Sequence, residues 1–82
     1  MRVRFFAAAR EAAGTTELSV APQALGDLLA GLRRDLGPGF AAVLDTCRVW
    51  VNGDDPAAEG ATRLEDGDEV AVLPPVSGGG PR

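Results

Sequence analysis

The chain has 82 residues, eight of them basic and twelve acidic, for a formal net charge of −4. A chain this short folds as one small domain with a compact core, which argues against a deep catalytic cleft. The acidic balance is the wrong sign for a phosphate backbone, so no nucleic-acid partner is expected.

The absences are equally informative. The sequence contains no His, no Tyr and a single Cys. The usual general base near neutral pH and the commonest metal ligand are therefore missing, and one Cys can make neither an internal disulfide nor a zinc knuckle. No catalysis is expected from the chain alone. All basic residues are Arg, so no side-chain amine exists to accept an isopeptide bond. No apolar run approaches the roughly 18 residues of a membrane span, and Met1-Arg2-Val3-Arg4 does not open a signal peptide. A lone thiol suits a reducing compartment, and a cytoplasmic location with no membrane contact is expected.

In chain order, Val3, Phe5 and Ala7 alternate with Arg4, Phe6 and Ala8, the period of a strand with two distinct faces. Ala8 to Ala13 reads as a single helical turn, with Gly14 placed for a left-handed cap. Glu17 to Val20 returns as a second strand in a wide hairpin whose register stays open. Pro22 fits the first position of a helix, and Leu25, Leu28, Leu29, Leu32 and Leu36 form one apolar stripe suited to a core layer against a sheet. Gly37-Pro38-Gly39 ends that helix. Phe40 to Leu44 makes another short turn with Phe40, Val43 and Leu44 inward. Cys47 is expected to be a small buried hydrophobe.

Arg48 to Val51 reads as a strand, closed by Asn52-Gly53, a turn that tolerates positive φ. Residues 54–63 read as an irregular crossing segment. Leu64 to Glu69 supplies one anchoring leucine and a tight turn, and Val70 to Leu73 a short apolar strand central in the sheet. One amphipathic helix crossing a mixed sheet makes an α+β fold, and the ubiquitin-like β-grasp is one of several topologies this order allows.

The strand alternation assigns faces. If Val3, Phe5, Val49, Val51, Val70 and Val72 face the helix, then Phe6, Trp50, Ala71 and Leu73 share the opposite face. Phe6, Trp50 and Leu73 are accordingly candidates for a partner interface, unless loops cover them. The acidic run Glu65, Asp66, Asp68 and Glu69 reads first as a solvated turn, with electrostatic steering as its second role.

Residues 1–73 are expected to form the domain and 74–82 a tail, Pro74-Pro75-Val76-Ser77-Gly78-Gly79-Gly80-Pro81-Arg82. Two prolines hold backbone extended and three glycines carry no side chain, so nothing here can pack in a core. Such a segment is either a frayed terminus or an arm able to thread a channel too narrow for a Cβ.

Several of these segments together resemble the MoaD/ThiS family of sulfur-carrier proteins, within it most of all the small subunits of molybdopterin synthases. The resemblance rests on Val3-Arg4-Phe5-Phe6-Ala7-Ala8-Ala9-Arg10-Glu11-Ala12-Ala13-Gly14, on Val51-Asn52-Gly53, on Leu64-Glu65-Asp66-Gly67-Asp68-Glu69-Val70, and on Leu73-Pro74-Pro75-Val76-Ser77-Gly78-Gly79. It implies a β-grasp fold whose C-terminal glycine is adenylated by a relative of ubiquitin-activating enzymes and then converted by a sulfur-donor enzyme to a thiocarboxylate. The loaded tail would enter a large subunit and supply sulfur for the dithiolene of the molybdenum cofactor. ATP would be used by the activating partner, and no cofactor would be bound by the chain itself.

By that resemblance Gly79 is the acyl position and Gly78 its neighbour in the channel. Gly80-Pro81-Arg82 departs from the family pattern, which ends at the second glycine. Removal by a protease, a cloning remnant and loss of carrier activity are the three explanations. Gly80 becomes the acyl residue if trimming falls one residue later. Sulfur transfer toward cysteine, thiamine or tRNA thiolation, a ubiquitin-like modifier and a plain interaction module remain the alternative functions.

Overall fold

The computed structural model describes residues 1–53 and 63–74. Its elements run β1 (Arg2–Phe5), α1 (Ala7–Ala13), β2 (Glu17–Ser19), α2 (Leu25–Leu44), β3 (Arg48–Val51) and β4 (Glu69–Leu73). The four strands form one mixed sheet in the order β2-β1-β4-β3. β1 runs antiparallel to β2 and parallel to β4, and β3 runs antiparallel to β4. This is the β-grasp arrangement, with β4 central as its apolar sequence requires.

Register follows from which side chains need burial. Val3 lies opposite Val70 and Phe5 opposite Val72 across the parallel pair. Val49 faces Val72 and Val51 faces Val70 across the antiparallel one. A slip of one residue would turn this valine-rich layer to the other face of the sheet. Val3, Phe5, Val49, Val70 and Val72 are buried against Leu25, Leu28 and Leu32 of α2, while Val51 is half-buried at the margin of the same core. Phe5 and Phe40 meet edge to face, with ring centroids 5.6 Å apart and planes at 87°.

Several element boundaries depart from the sequence reading. β1 stops at Phe5 rather than continuing through Ala8, because Phe6 caps α1 and Ala7 turns into a left-handed conformation at φ 52°. α1 spans seven residues rather than a single turn and ends on Gly14, at φ 77°. Pro22 is not the first residue of α2. The helix opens at Leu25, because residues 23 and 24 are held extended by a bridge between Ala24 and Arg63 and by the Leu64 N–H donating to the Gln23 carbonyl at 2.9 Å. These tertiary bonds override the local preference of Pro22.

Gly37 breaks α2 at φ 93° and ψ 174°, and the chain re-enters helix at Pro38. The continuation buries Phe40 and Leu44 as expected, with Val43 half-buried. Leu64 is fully buried and anchors the return to β4. Cys47 is half-buried at the edge of the core rather than inside it, and burial raises its thiol pKa despite an opposing hydrogen bond from Thr46. Among the described residues no helix is long and apolar enough to cross a membrane. Most of the expected crossing segment, residues 54–62, lies outside the described residues.

Candidate docking face and root of the tail

β4 ends at Leu73, one residue before Pro74, so its position decides where the expected tail segment begins. Held between β1 and β3, the strand has bonded neighbours on both sides. Pro74 follows directly and is exposed. Pro75, Val76, Ser77, Gly78, Gly79 and the alternative Gly80 lie outside the described residues.

The outer face of the sheet is built by alternation. Trp50 lies opposite Ala71 and Arg48 opposite Leu73, while Arg4 flanks Ala71 from the other side. The Phe6 N–H donates to the Val72 carbonyl at 3.0 Å, carrying the β1–β4 ladder one residue past the end of β1. Phe6, Trp50, Ala71 and Leu73 thus share one face beside the start of the tail. Only Phe6 stands clear of that face, 38% exposed, and it is the single large hydrophobic side chain so exposed among the described residues. Trp50 and Leu73 are half-buried, a flatter floor than a fully exposed cluster would make. The Trp50 Nε1–H is buried with no hydrogen-bond partner among the described residues.

Charged groups on this face were not singled out by the sequence reading. The Arg4 guanidinium lies 5.4 Å from the Phe6 ring centroid, and its terminal nitrogen is 3.4 Å from a Glu69 carboxylate oxygen. Arg4 therefore braces the one protruding aromatic while its own charge is balanced. Alternation alone would have placed Arg4 on this face, two residues before Phe6.

The acidic run is more structural than a solvated turn. Asp68 Oδ2 accepts the Glu65 N–H at 2.8 Å, and Oδ1 accepts from Asn52 Nδ2 at 3.1 Å. The Glu65 N–H first, and then the Asn52 amide, hold the Asp68 carboxyl below the usual carboxylate range. Asn52 also accepts from the Glu69 N–H at 2.9 Å, and its own N–H donates to the Glu69 carbonyl at 2.7 Å. Asn52 sits at φ 52° and Gly53 at φ 87°, so the expected positive-φ turn is present. Asp66 lies 3.6 Å from the Met1 ammonium, and Glu65 4.0 Å from Arg63. Each acid of the run is paired or hydrogen-bonded, which leaves less uncompensated charge for steering.

Comparison with known proteins agrees with this geometry. The profile of the ThiS family matches residues 3–79. The molybdopterin synthase sulfur carrier subunit of Chlamydomonas reinhardtii is 36% identical over 85 residues, covering 96% of this chain and 98% of the relative. The subunit of the same name from Aedes aegypti is 34% identical, covering 92% and 84%. Among solved structures, the small archaeal modifier protein 1 of Methanosarcina acetivorans superposes with a TM-score of 0.80 at 32% identity, over 95% of this chain and 94% of that one. A protein in the complex of subunits 1 and 2 of molybdopterin-converting factor from Helicobacter pylori superposes at 0.71 with 29% identity, over 95% and 96%.

Proposed function

The chain belongs to the ThiS family, and from that premise we propose that it is the sulfur-carrier subunit of a molybdopterin synthase. The observation that carries the reading is the juxtaposition at the end of β4. The strand leading to the glycine tail is fixed in the middle of the sheet, and an apolar face bearing Phe6, Trp50 and Leu73 lies beside its exit. Curated relatives that match nearly its whole length share the same subunit name.

The chemistry asks little of the domain. An activating enzyme of the adenylyltransferase class joins the terminal glycine carboxylate to AMP from ATP, releasing pyrophosphate. Sulfide-level sulfur delivered by a sulfur-donor enzyme then attacks the acyl carbon, AMP leaves, and a thiocarboxylate results. That group enters the active site of the large subunit and gives up its sulfur to the pterin precursor of the dithiolene. The carrier holds the tail root rigid, offers the docking face and contributes backbone without side chains, which agrees with its lack of His. The reading requires the acyl carboxylate to stand at Gly79, or at Gly80 if a tail-processing protease cuts one residue later. It places the protein in the cytoplasm, with the ATP and the reducing conditions that the chemistry and the Cys47 thiol both need.

The test is intact mass after incubation with an activating enzyme, ATP, a sulfur donor and cell extract. Loss of Gly80-Pro81-Arg82 with replacement of one carboxylate oxygen by sulfur is the expected result. No thiocarboxylate, either on the full-length protein or on a variant ending at Gly79, would overturn the reading. A second reading, a ubiquitin-like modifier, is favoured by the likeness to the archaeal modifier protein. It predicts hydroxylamine-resistant conjugates of higher mass in cells.

A further inference from the structure

The proposed sulfur chemistry assigns no role to Asn52 or Gly53, yet the Asn52 side chain is bonded at both of its polar atoms. Oδ1 accepts the Glu69 N–H at 2.9 Å, and Nδ2 donates to Asp68 at 3.1 Å. Asparagine followed by glycine is also the sequence in which the amide is chemically least secure. Without a Cβ on the following residue, its backbone nitrogen can reach the asparagine Cγ unobstructed. Attack forms a bond from that nitrogen to Cγ and breaks the bond between Cγ and Nδ2. The glycine N–H proton leaves with the amide nitrogen as ammonia, giving a succinimide. Water then opens either imide bond, yielding aspartate or isoaspartate.

We propose that Asn52-Gly53 is a deamidation site gated by the hydrogen bonds of Asn52 to Asp68 and Glu69, and that its product cannot rebuild that lock. While Asn52 is bonded to the start of β4, its Cγ is tethered to Asp68 and Glu69. Ring closure onto the Gly53 nitrogen requires both bonds to be given up. Asp68, with its carboxyl held below the usual range, stays ionised and cannot donate a proton to the departing ammonia.

The product is worse placed than the reactant. A carboxylate at position 52 has no N–H for Asp68 and sets two negative groups at hydrogen-bond distance, where like charges oppose ionisation. Isoaspartate adds a methylene to the backbone and displaces the 2.7 Å bond from the Asn52 N–H to the Glu69 carbonyl. Loss of ammonia and hydrolysis of the imide make deamidation one-way, and its product loosens the seam between β3 and β4. None of these steps depends on the sulfur-carrier reading.

The full-length protein is aged in mildly alkaline buffer, natively and in urea, and followed by peptide mass and isoaspartyl methyltransferase labelling. The unfolded protein should react at least about tenfold faster at Asn52 than the native one, because bonded groups react only from opened states. Asp68→Ala, aged natively, should fall between the two. Should that variant prove unfolded, urea well below the wild-type midpoint gives an independent reading, and the rate should rise with it. Asn52→Asp, the chemical product made by mutation, should melt below wild type. Equal rates in native and unfolded protein, or a folded Asp68→Ala that ages like wild type, would overturn the gating. An Asn52→Asp melting temperature matching wild type would overturn the claim about the product.

Discussion

Asp68 shows how one carboxylate can hold a turn together from the surface. Its two oxygens take the Glu65 N–H and the Asn52 amide, and both bonds favour the ionised form. Its carboxyl pKa lies below the ordinary 3.8. A depressed carboxylate contributes stability that is present above the unfolded value and is lost as pH falls through the folded one. The wild-type melting temperature should therefore drop on acidification below about pH 4, and Asp68→Asn, which cannot ionise, should show a shallower fall over the same range. Parallel thermal melts of the two proteins check this, and superimposable pH profiles would remove Asp68 from the account. The positive φ of Asn52 was legible in the dipeptide Asn-Gly. Its bond to the Glu69 N–H was not, because it spans 17 residues and exists only once β3 and β4 have taken their register.

Within the elements, α2 uses glycine in two opposed ways. Gly37 takes φ 93° and ψ 174°, where side chains are strained, and breaks the helix so that Phe40 can reach Phe5. A Cβ built there meets nothing within 4 Å, so the cost of Gly37→Ala is backbone strain alone, about 1–3 kcal/mol. Gly31 sits in regular helix, and a Cβ there would lie 3.6 Å from the Arg34 guanidinium, an ordinary contact with a movable side chain. Gly31→Ala should instead stabilise by about 0.5–1 kcal/mol through helix propensity. Chemical denaturation of the pair should move the midpoints in opposite directions, and a shift of the same sign would contradict the conformations assigned. Arg33 spans the break, reaching Asp45 at 2.6 Å and the Ala41 carbonyl at 3.3 Å. The leucine stripe and the break at Gly37 could be read from spacing and residue type. The start at Leu25 could not, because it is set by the bridge to Arg63, a residue distant in sequence.

At the scale of the whole molecule, Phe5 and Phe6 divide the work between adjacent positions. Phe5 is 2% exposed and packs on Phe40, while Phe6 is 38% exposed on the other face. Period-two alternation is enough to assign those two faces from sequence, and the parallel β1–β4 register explains why Phe6 ends up beside the root of the tail. How far each side chain stands out was not legible, since it depends on partners distant in sequence, such as Phe40 against Phe5 and Glu69 beside Arg4. The contrast yields a test in which fold and docking separate. Phe5→Asp should unfold the domain, because it buries an unpaired charge in the core. Phe6→Asp should keep the far-UV spectrum and cooperative melt of wild type, because the new carboxylate remains solvated. It should nonetheless weaken binding to the large subunit by at least about 2 kcal/mol, roughly thirtyfold, as removal of a central aromatic anchor does. Titration calorimetry with the large subunit measures that loss directly. A folded Phe6→Asp that bound with wild-type affinity would move the docking face off the outer sheet, leaving the tail to carry recognition by itself.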